Sequence, residues 1–267
     1  MSTVASPRIR RASTFQPSKP FLSHVTIDYG PAEMLGRLFL KWDTDLQRRG
    51  MTVSFEPVER LLEVNRENRD SWRPLFPVFD TEVGGFNEDN GFCLLGRNED
   101  GKVIAAQAAR LYKMTKGTFK DETESLRLFY TDPEKLKQAG ETCTVSAKSA
   151  SRFDGRIVFS GAVWYHPEYR RQGLTSILPR LTKAYALTKW YTDVIVSFMA
   201  EDVVKGGTAE RAGYAHVEWD VVMKNSLLGD LRLALIWSNT AELIDYFAGY
   251  LGEANSEVDP IVYDRAA

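Results

Sequence analysis

Residues 156–186 read RIVFSGAVWYHPEYRRQGLTSILPRLTKAYA, and this stretch decides the fold. The apolar run Ile157–Trp164 predicts a strand, the polar residues Tyr165–Gln172 predict a turn, and a helical pattern opens at Thr175 after Gly173. The first N–H groups of a helix have no partner inside it, and the helix dipole adds positive charge at the same end. The pattern therefore predicts an anion-binding loop, where glycine lets a phosphate approach the backbone closely.

Residues 170–175, RRQGLT, resemble the acyl-CoA pyrophosphate loop of the GCN5-related N-acetyltransferases (GNAT), written Gln/Arg-x-x-Gly-x-Gly/Ala. The lead-in His166–Tyr169 also matches that family, in which the loop follows the fourth strand. The resemblance implies a mixed α/β fold, with a mostly antiparallel central sheet flanked by helices and here an enlarged N-terminal half. One departure is Thr175, where the family has Gly or Ala. Its side chain can cap the helix or donate its hydroxyl to a phosphate.

The resemblance implies acetyl-CoA as co-substrate and no metal. Main-chain N–H groups of the loop would hold the pyrophosphate, with Arg170 or Arg171 adding charge. A solvated arginine pair is the alternative interpretation. The pantetheine arm would pair with open backbone at the end of the fourth strand, which splays from the fifth in this family. The predicted binding residues are Ala162, Val163, Trp164, Arg170, Arg171, Gln172, Gly173, Leu174 and Thr175.

The catalytic acid is the weak part of the resemblance. Many members of the family carry Asn-x-x-Ala-x-x-x-Tyr-x-x-x-Gly-Phe after the fifth strand, with the Tyr beside the CoA sulfur. Counting back from Gly213-Tyr214 puts Asp202 at the Asn position and Ala209 at the Tyr position, so the usual acid is absent. Three alternatives follow: the thiolate leaves without help, Tyr165 or Tyr214 substitutes, or the site is inactive.

Candidate bases follow the predicted fifth strand, Val194–Met199. Glu201 and Asp202 stand at its end, facing the region where ligands bind in α/β sheets. The alternative is that both acids favour a helix N-terminus electrostatically. The candidate catalytic residues are therefore Asp202, Glu201 and Tyr165.

Composition excludes several classes of protein. The 267 residues, 43% of them hydrophobic, fit one large domain. A net charge of −2 provides no overall basic field for nucleic acid. Three histidines are too few for a metal cluster, and no apolar run approaches the ~20 residues of a membrane helix. Two separated cysteines, Cys93 and Cys143, indicate a reducing compartment, so we expect a cytoplasmic protein.

Chain organisation predicts a disordered tail at residues 1–20, one GNAT-like domain at 21–252 and a C-terminal tail at 253–267. Residues 114–154 are an insertion that covers the active site, mediates a homodimer or acts as a lid. The expected strands include Phe21–Tyr29 and a hairpin formed by Phe92–Arg97 and Lys102–Tyr112. The expected helices are Pro31–Arg49, Val58–Arg69, Thr123–Tyr130, Asp132–Gln138, Ser176–Trp190, Glu201–Ala212 and Asn239–Leu251.

The expected function is acetyl transfer from acetyl-CoA to a primary amine of a small molecule. A polypeptide amine or a longer acyl donor stays open. The second hypothesis is a catalytically silent acyl-CoA-binding module that serves as a sensor or scaffold.

Overall fold

The computed structural model describes residues 20–256. The predicted tails lie outside these residues, except for Pro20 and for 253–256, which continue the last helix. Within 20–256 no helix combines the length and the hydropathy that crossing a bilayer requires.

One eight-stranded sheet forms the centre of the molecule, in the order β1-β2-β3-β5-β6-β8-β7-β4. All neighbouring pairs are antiparallel except β5 and β6, which are parallel. The predicted mixed, mostly antiparallel sheet flanked by helices is confirmed. The strands are β1 (Thr52–Glu56), β2 (Gly91–Arg97), β3 (Val103–Met114), β4 (Thr142–Val145), β5 (Gly155–Tyr165), β6 (Val194–Ala200), β7 (His216–Ser226) and β8 (Gly229–Asn239).

Helices cover both faces of the sheet. They are α1 (Ala32–Gln47), α2 (Val58–Glu67), α3 (Phe119–Glu124), α4 (Pro133–Leu136), α5 (Leu178–Trp190), α6 (Glu201–Lys205), α7 (Thr208–Arg211) and α8 (Thr240–Ser256). Helices α1, α5 and α8 share one apolar core on one face, whereas α2 and the insertion belong to the core on the other. Helix α1 packs there because its apolar residues, spaced three and four apart, form one buried stripe. They are Leu35, Leu38, Phe39, Trp42 and Leu46.

The insertion adds an edge strand and a wall to the sheet. Strand β4 pairs antiparallel with β7 at the end of the sheet. Phe119 and Phe129, also from the insertion, contact the ring of Phe198 on β6 at centroid distances of 5.9 and 6.4 Å. Phe129 also packs edge-on against Phe76 at 5.5 Å. The insertion therefore supports β6 from the α2 side of the sheet.

Three of the expected secondary-structure elements are wrong. The helix expected at Thr123–Tyr130 stops at Glu124, because α3 spans Phe119–Glu124 and Leu126 takes a left-handed φ of +64°. Residues 21–24 form a 3₁₀ turn rather than a strand, because Phe21 is buried against Phe39 and Phe55 and only the bridge from Pro20 to Ser54 reaches the sheet. The helix expected at Glu201–Ala212 is two short helices, α6 and α7. It breaks because Gly207 adopts φ +72°, a left-handed conformation that glycine enters without strain. The β2–β3 hairpin and the helices α1, α2, α5 and α8 form as predicted, with ends shifted by a few residues.

Helix α8 begins with a capping box, in which the side chain of each of two residues accepts a hydrogen bond from the main-chain amide of the other. The Asn239 side chain accepts from the amide of Glu242 at 2.9 Å, and the Glu242 carboxylate accepts from the amide of Asn239 at 2.9 Å. We predict that Asn239→Ala lowers the free energy of unfolding by about 1 kcal/mol, because one first-turn amide loses its acceptor. Urea denaturation measures the difference. Asn239→Ser keeps an acceptor and serves as control, and an equal loss in both variants would contradict the capping role.

Candidate active site

The loop between β5 and α5 presents unbonded main-chain amides. Gly173 adopts φ +74° and leads into a 3₁₀ turn, Leu174–Ser176, before α5 begins at Leu178. Within residues 20–256, no acceptor bonds the amides of residues 171–175. A Cβ at position 173 would meet nothing nearer than 4.0 Å, so conformation and ligand access, not packing, require glycine there. Pro179 is the second residue of α5, a first-turn position where its missing N–H costs no helical hydrogen bond.

The two predicted arginines of this loop differ in their surroundings. Arg171 is exposed and bonds nothing in the part of the chain that the structure describes. The Arg170 guanidinium instead donates to the carbonyls of Tyr165 and Ser71, both at 3.1 Å. Arg170 therefore ties the loop to residue 71, while Arg171 remains available to a ligand.

A third arginine, Arg49, follows the end of α1 and approaches the loop, and it was not among the predicted binding residues. Arg49 donates from Nε to the carbonyl of Gln172 at 3.2 Å, and its Nη2 lies 4.0 Å from the Cβ position of residue 173. The two residues are 123 positions apart, so no local pattern links them. Gln172 itself turns outward and donates to the carbonyl of Glu168.

Strands β5 and β6 part after a short parallel stretch. They pair only from Ile157 with Val194 to Phe159 with Val196. Beyond that point β5 stays with β3 as far as Tyr165, and β6 stays with β8 as far as Ala200. The facing edges of both strands therefore carry main-chain N–H and C=O groups that have no partner strand.

A β-bulge interrupts β5 where the gap opens. Gly161 pairs with Ala108 and Trp164 with Ala106, so that Ala162 and Val163 together oppose Gln107. Ala162 adopts φ +53°, a conformation unusual for a residue with a side chain. Strand β5 is the fourth strand in the order of the sheet, and it diverges from the fifth, β6. The glycine loop follows β5 and leads into a helix.

The chain has a GNAT-like fold. No family model and no curated protein matches the sequence. Among solved structures, an uncharacterized protein from Bacillus halodurans shares 11% identity, with a TM-score of 0.46 over 76% of this chain and 92% of its own. A spermidine N-acetyltransferase SpeG chimera from Vibrio cholerae and hSSAT shares 11%, with a TM-score of 0.45 over 73% and 99%. Arabidopsis thaliana NAA60 in complex with acetyl-CoA shares 13%, with a TM-score of 0.42 over 71% and 99%.

Two cavities meet at the gap of this GNAT-like sheet. The cleft, about 420 Å³, lies between β5, β6, the start of α5 and the helices α6 and α7. The aromatic cavity, about 490 Å³, lies between the same two strands, residues 71–76, Phe79 and the β7–β8 hairpin. Both are lined by Gly161, Ala162, Val163, Tyr165, Ser197, Phe198 and Ala200. A pocket of about 250 Å³ along the glycine loop shares Thr175 with the cleft.

Eight of the nine predicted binding residues fall into three groups in the structure, whereas Gln172 lines none of these cavities. Ala162, Val163 and Thr175 line the cleft, and Val163 is 45% exposed there. Arg170, Arg171, Gly173, Leu174 and Thr175 line the loop pocket. Trp164 is buried and stacks on Trp72 at 5.2 Å, so its side chain belongs to the aromatic cavity.

Tyr214 and Tyr165 occupy different places. Tyr214 lines the cleft and hydrogen-bonds Ser160 on β5 and Ser197 on β6, the residues next to the last strand pair. Burial raises the pKa of Tyr214 to about 12, although these hydrogen bonds act in the opposite direction. Tyr165 is buried, which raises its pKa, and its hydroxyl donates to the carbonyl of Leu174 at 3.3 Å. Tyr165 therefore supports the glycine loop, whereas Tyr214 lies at the start of the gap.

The acidic residues proposed as bases do not line either cavity. Glu201 is the first residue of α6, where it pairs with Lys205 at 2.8 Å and Arg232 at 3.4 Å. The hydrogen bond from Lys205 lowers the pKa of Glu201. Asp202 is exposed in the same first turn. Both placements suit the N-terminus of a helix, so the geometry does not favour the base role for either residue. Within residues 20–256, no group of three or more His, Cys, Asp or Glu is arranged to hold a metal ion.

A buried lysine holds the turn that precedes Tyr214. Lys183 on α5 donates to the carbonyls of Ala212 and Gly213, the latter at 2.6 Å, and its Nζ lies 4.1 Å from the centroid of the Tyr214 ring. Burial lowers the pKa of Lys183 well below its ordinary 10.5, and Arg180 lowers it further. This lysine therefore fixes the turn before Tyr214, and with it the position of the Tyr214 ring at the cleft.

Replacement of Lys183 should change the pH dependence of stability. In the folded state Lys183 loses its proton at a lower pH than in the unfolded chain. Between the two pKa values the unfolded state binds more protons, so the unfolding free energy rises with pH. We predict that the wild type gains stability relative to Lys183→Met as the pH rises toward 10.5. Urea titrations between neutral pH and pH 10 measure this difference, and parallel curves would show that Lys183 does not titrate in this range.

Proposed function

We propose that the protein is an acyl-CoA-dependent N-acyltransferase, which moves an acetyl group from acetyl-CoA to a primary amine of a small molecule. The observation that carries this proposal is the gap between β5 and β6. On one side of this gap lie the cleft and the glycine loop with its unbonded amides. On the other side lies the aromatic cavity. Donor and acceptor can therefore enter from opposite sides and meet at one point.

The residues around the cleft fit a coenzyme with a diphosphate and an amide-bearing arm. The amides of residues 171–175 offer donors for the diphosphate, and Arg49 and Arg171 add positive charge. The open edge of β5 offers N–H and C=O groups to the amides of the arm. When bound, acetyl-CoA supplies an acetyl group activated as a thioester.

Two groups of this chain serve the transfer. The bulge at Ala162 and Val163 turns main-chain groups out of the β3 ladder, where an N–H can polarise a carbonyl oxygen. Tyr214 holds a proton at the start of the gap for the departing sulfur. The C–N bond forms as the C–S bond breaks. The sulfur takes the proton of the tyrosine, and the nitrogen releases one to water, which returns a proton to the tyrosine.

The acyl-CoA-binding module remains a second candidate because of Ala209. This residue stands at the position of the family's catalytic tyrosine and is buried, without a hydroxyl. Mixing acetyl-CoA with a pool of amines and following free thiol separates the two functions. Coenzyme binding without thiol release above the hydrolysis background would favour the module.

Gly173→Val should weaken CoA binding by at least about tenfold, because a branched side chain blocks the loop amides and strains a left-handed position. Gly229→Val is the matched control. Gly229 also has a positive φ, +84°, and open space around it, but it lies in the β7–β8 turn. Calorimetry with CoA measures both affinities. An equal effect in the two variants would attribute the loss to stability and refute the loop assignment.

Tyr214→Phe should lower kcat by about 100-fold while the affinity for CoA stays the same, because only the proton donor is removed. Tyr112→Phe is the control, since it also removes a tyrosine hydroxyl bonded to a main-chain carbonyl, that of Leu128 at 2.7 Å, but lines neither the cleft nor the loop pocket. Steady-state thiol release gives kcat for each variant. An unchanged kcat in Tyr214→Phe would mean that the thiolate leaves unaided.

A further inference from the structure

The walls of the aromatic cavity are flat and apolar. Trp72 and Trp164 lie parallel, with an interplanar angle of 10°, and the Trp164 indole donates to the Ser71 hydroxyl at 3.1 Å. Phe198, which also lines the cavity, packs edge-on against Phe76 at 6.1 Å and against Phe159 at 5.1 Å. These rings favour a ligand that contributes a flat apolar body.

The charged side chains that line this cavity are both arginines. Arg73 is exposed at its rim, and within residues 20–256 its guanidinium has no hydrogen-bond or ion-pair partner. Arg170 bonds only main-chain carbonyls, and no carboxylate of the described chain pairs with it. Neither Asp nor Glu contributes to the lining. The cavity therefore carries two positive charges without a counter-ion.

This charge distribution selects among amines. A polyamine would place its second ammonium beside two guanidinium groups, where like charges repel and no carboxylate compensates. A carboxylate on the acceptor would instead receive charge-assisted hydrogen bonds from a guanidinium fork. Resting on the proposed function, we infer that the acceptor is an aromatic or similarly flat amine that carries an anionic group, as an aromatic amino acid does, and not a polyamine.

The same charges explain how an amine reacts although no carboxylate or imidazole lines the site to accept its proton. Neither cavity is lined by Asp, Glu or His. A nearby positive charge disfavours an ammonium relative to the free amine. The guanidinium of Arg170, which lies at the junction of the cavity and the loop pocket, thus favours the nucleophilic form of a bound amine.

Three probes test the inference. L-Phenylalanine and phenethylamine share the ring and the primary amine and differ in the carboxylate, and spermidine is a flexible polycation. Thiol release with saturating acetyl-CoA gives kcat/KM for each, referred to the concentration of free amine. We expect phenylalanine to exceed phenethylamine by at least about tenfold, the effect of one hydrogen bond to a charged group, and spermidine to be the poorest. Equal values for the first two probes, or a preference for spermidine, would overturn the inference.

Variants assign the preference to the cavity. Arg73→Gln should reduce the ratio between phenylalanine and phenethylamine, and Arg73→Lys should keep part of it, because charge remains without the planar fork. Arg66→Gln is the matched control, since Arg66 pairs with Glu82 on the surface and does not line the cavity. If Arg73→Gln and Arg66→Gln give the same ratio as the wild type, Arg73 does not bind the carboxylate of the acceptor.

Direct binding separates this inference from the proposed function. Calorimetry of the three probes with CoA-saturated protein requires no turnover. Selective binding of phenylalanine without thiol release would refute the acetyltransferase and retain the ligand class. Thiol release with an amine of another class would retain the acetyltransferase and refute the ligand class. Absence of binding by all three probes, with no turnover of phenylalanine, would also refute the ligand class.

Discussion

The whole site depends on one interruption of hydrogen bonding, the parting of β5 and β6 after Phe159 and Val196. Every other neighbour pair in the sheet has an antiparallel ladder, and each of the two strands keeps its outer neighbour beyond the point of divergence. The sheet therefore stays intact while two inner edges are left open. Unpaired main-chain groups are costly when buried, so a stable opening implies that solvent or a ligand satisfies them.

Packing on both faces keeps the strands apart. On one side, α5 places the glycine loop above the cleft and Lys183 beneath Tyr214. On the other, the insertion places Phe119 and Phe129 against Phe198, so β6 is supported where it leaves β5. The insertion thus supports Phe198, a lining residue of the aromatic cavity, without lining the cavity itself.

Charge is distributed unevenly around this opening. Arg49 and Arg171 surround the glycine loop, Arg73 and Arg170 line the aromatic cavity, and the nearby acids are paired elsewhere or exposed. A chain with a net charge of −2 therefore builds a locally positive site. Such a local field favours anionic ligands on both sides of the gap, although the overall composition does not reveal it.

The sequence by itself determined the elements of the site. The strand, glycine loop and helix of 156–190, the hairpin and the stripe of α1 follow from local periodicity and turn residues. The GNAT-like fold was expected from the resemblance of residues 166–175 to the pyrophosphate loop of that family. The bulge at Ala162, the approach of Arg49 over 123 positions and the place of Tyr214 beside two serines were decided by tertiary structure alone. The break at Gly207 differs, because it follows from the left-handed conformation of that glycine. The physical reason is that local pattern fixes which residues share a face. Whether two strands separate, and which distant side chains meet in the gap, depends on packing between elements far apart in the chain.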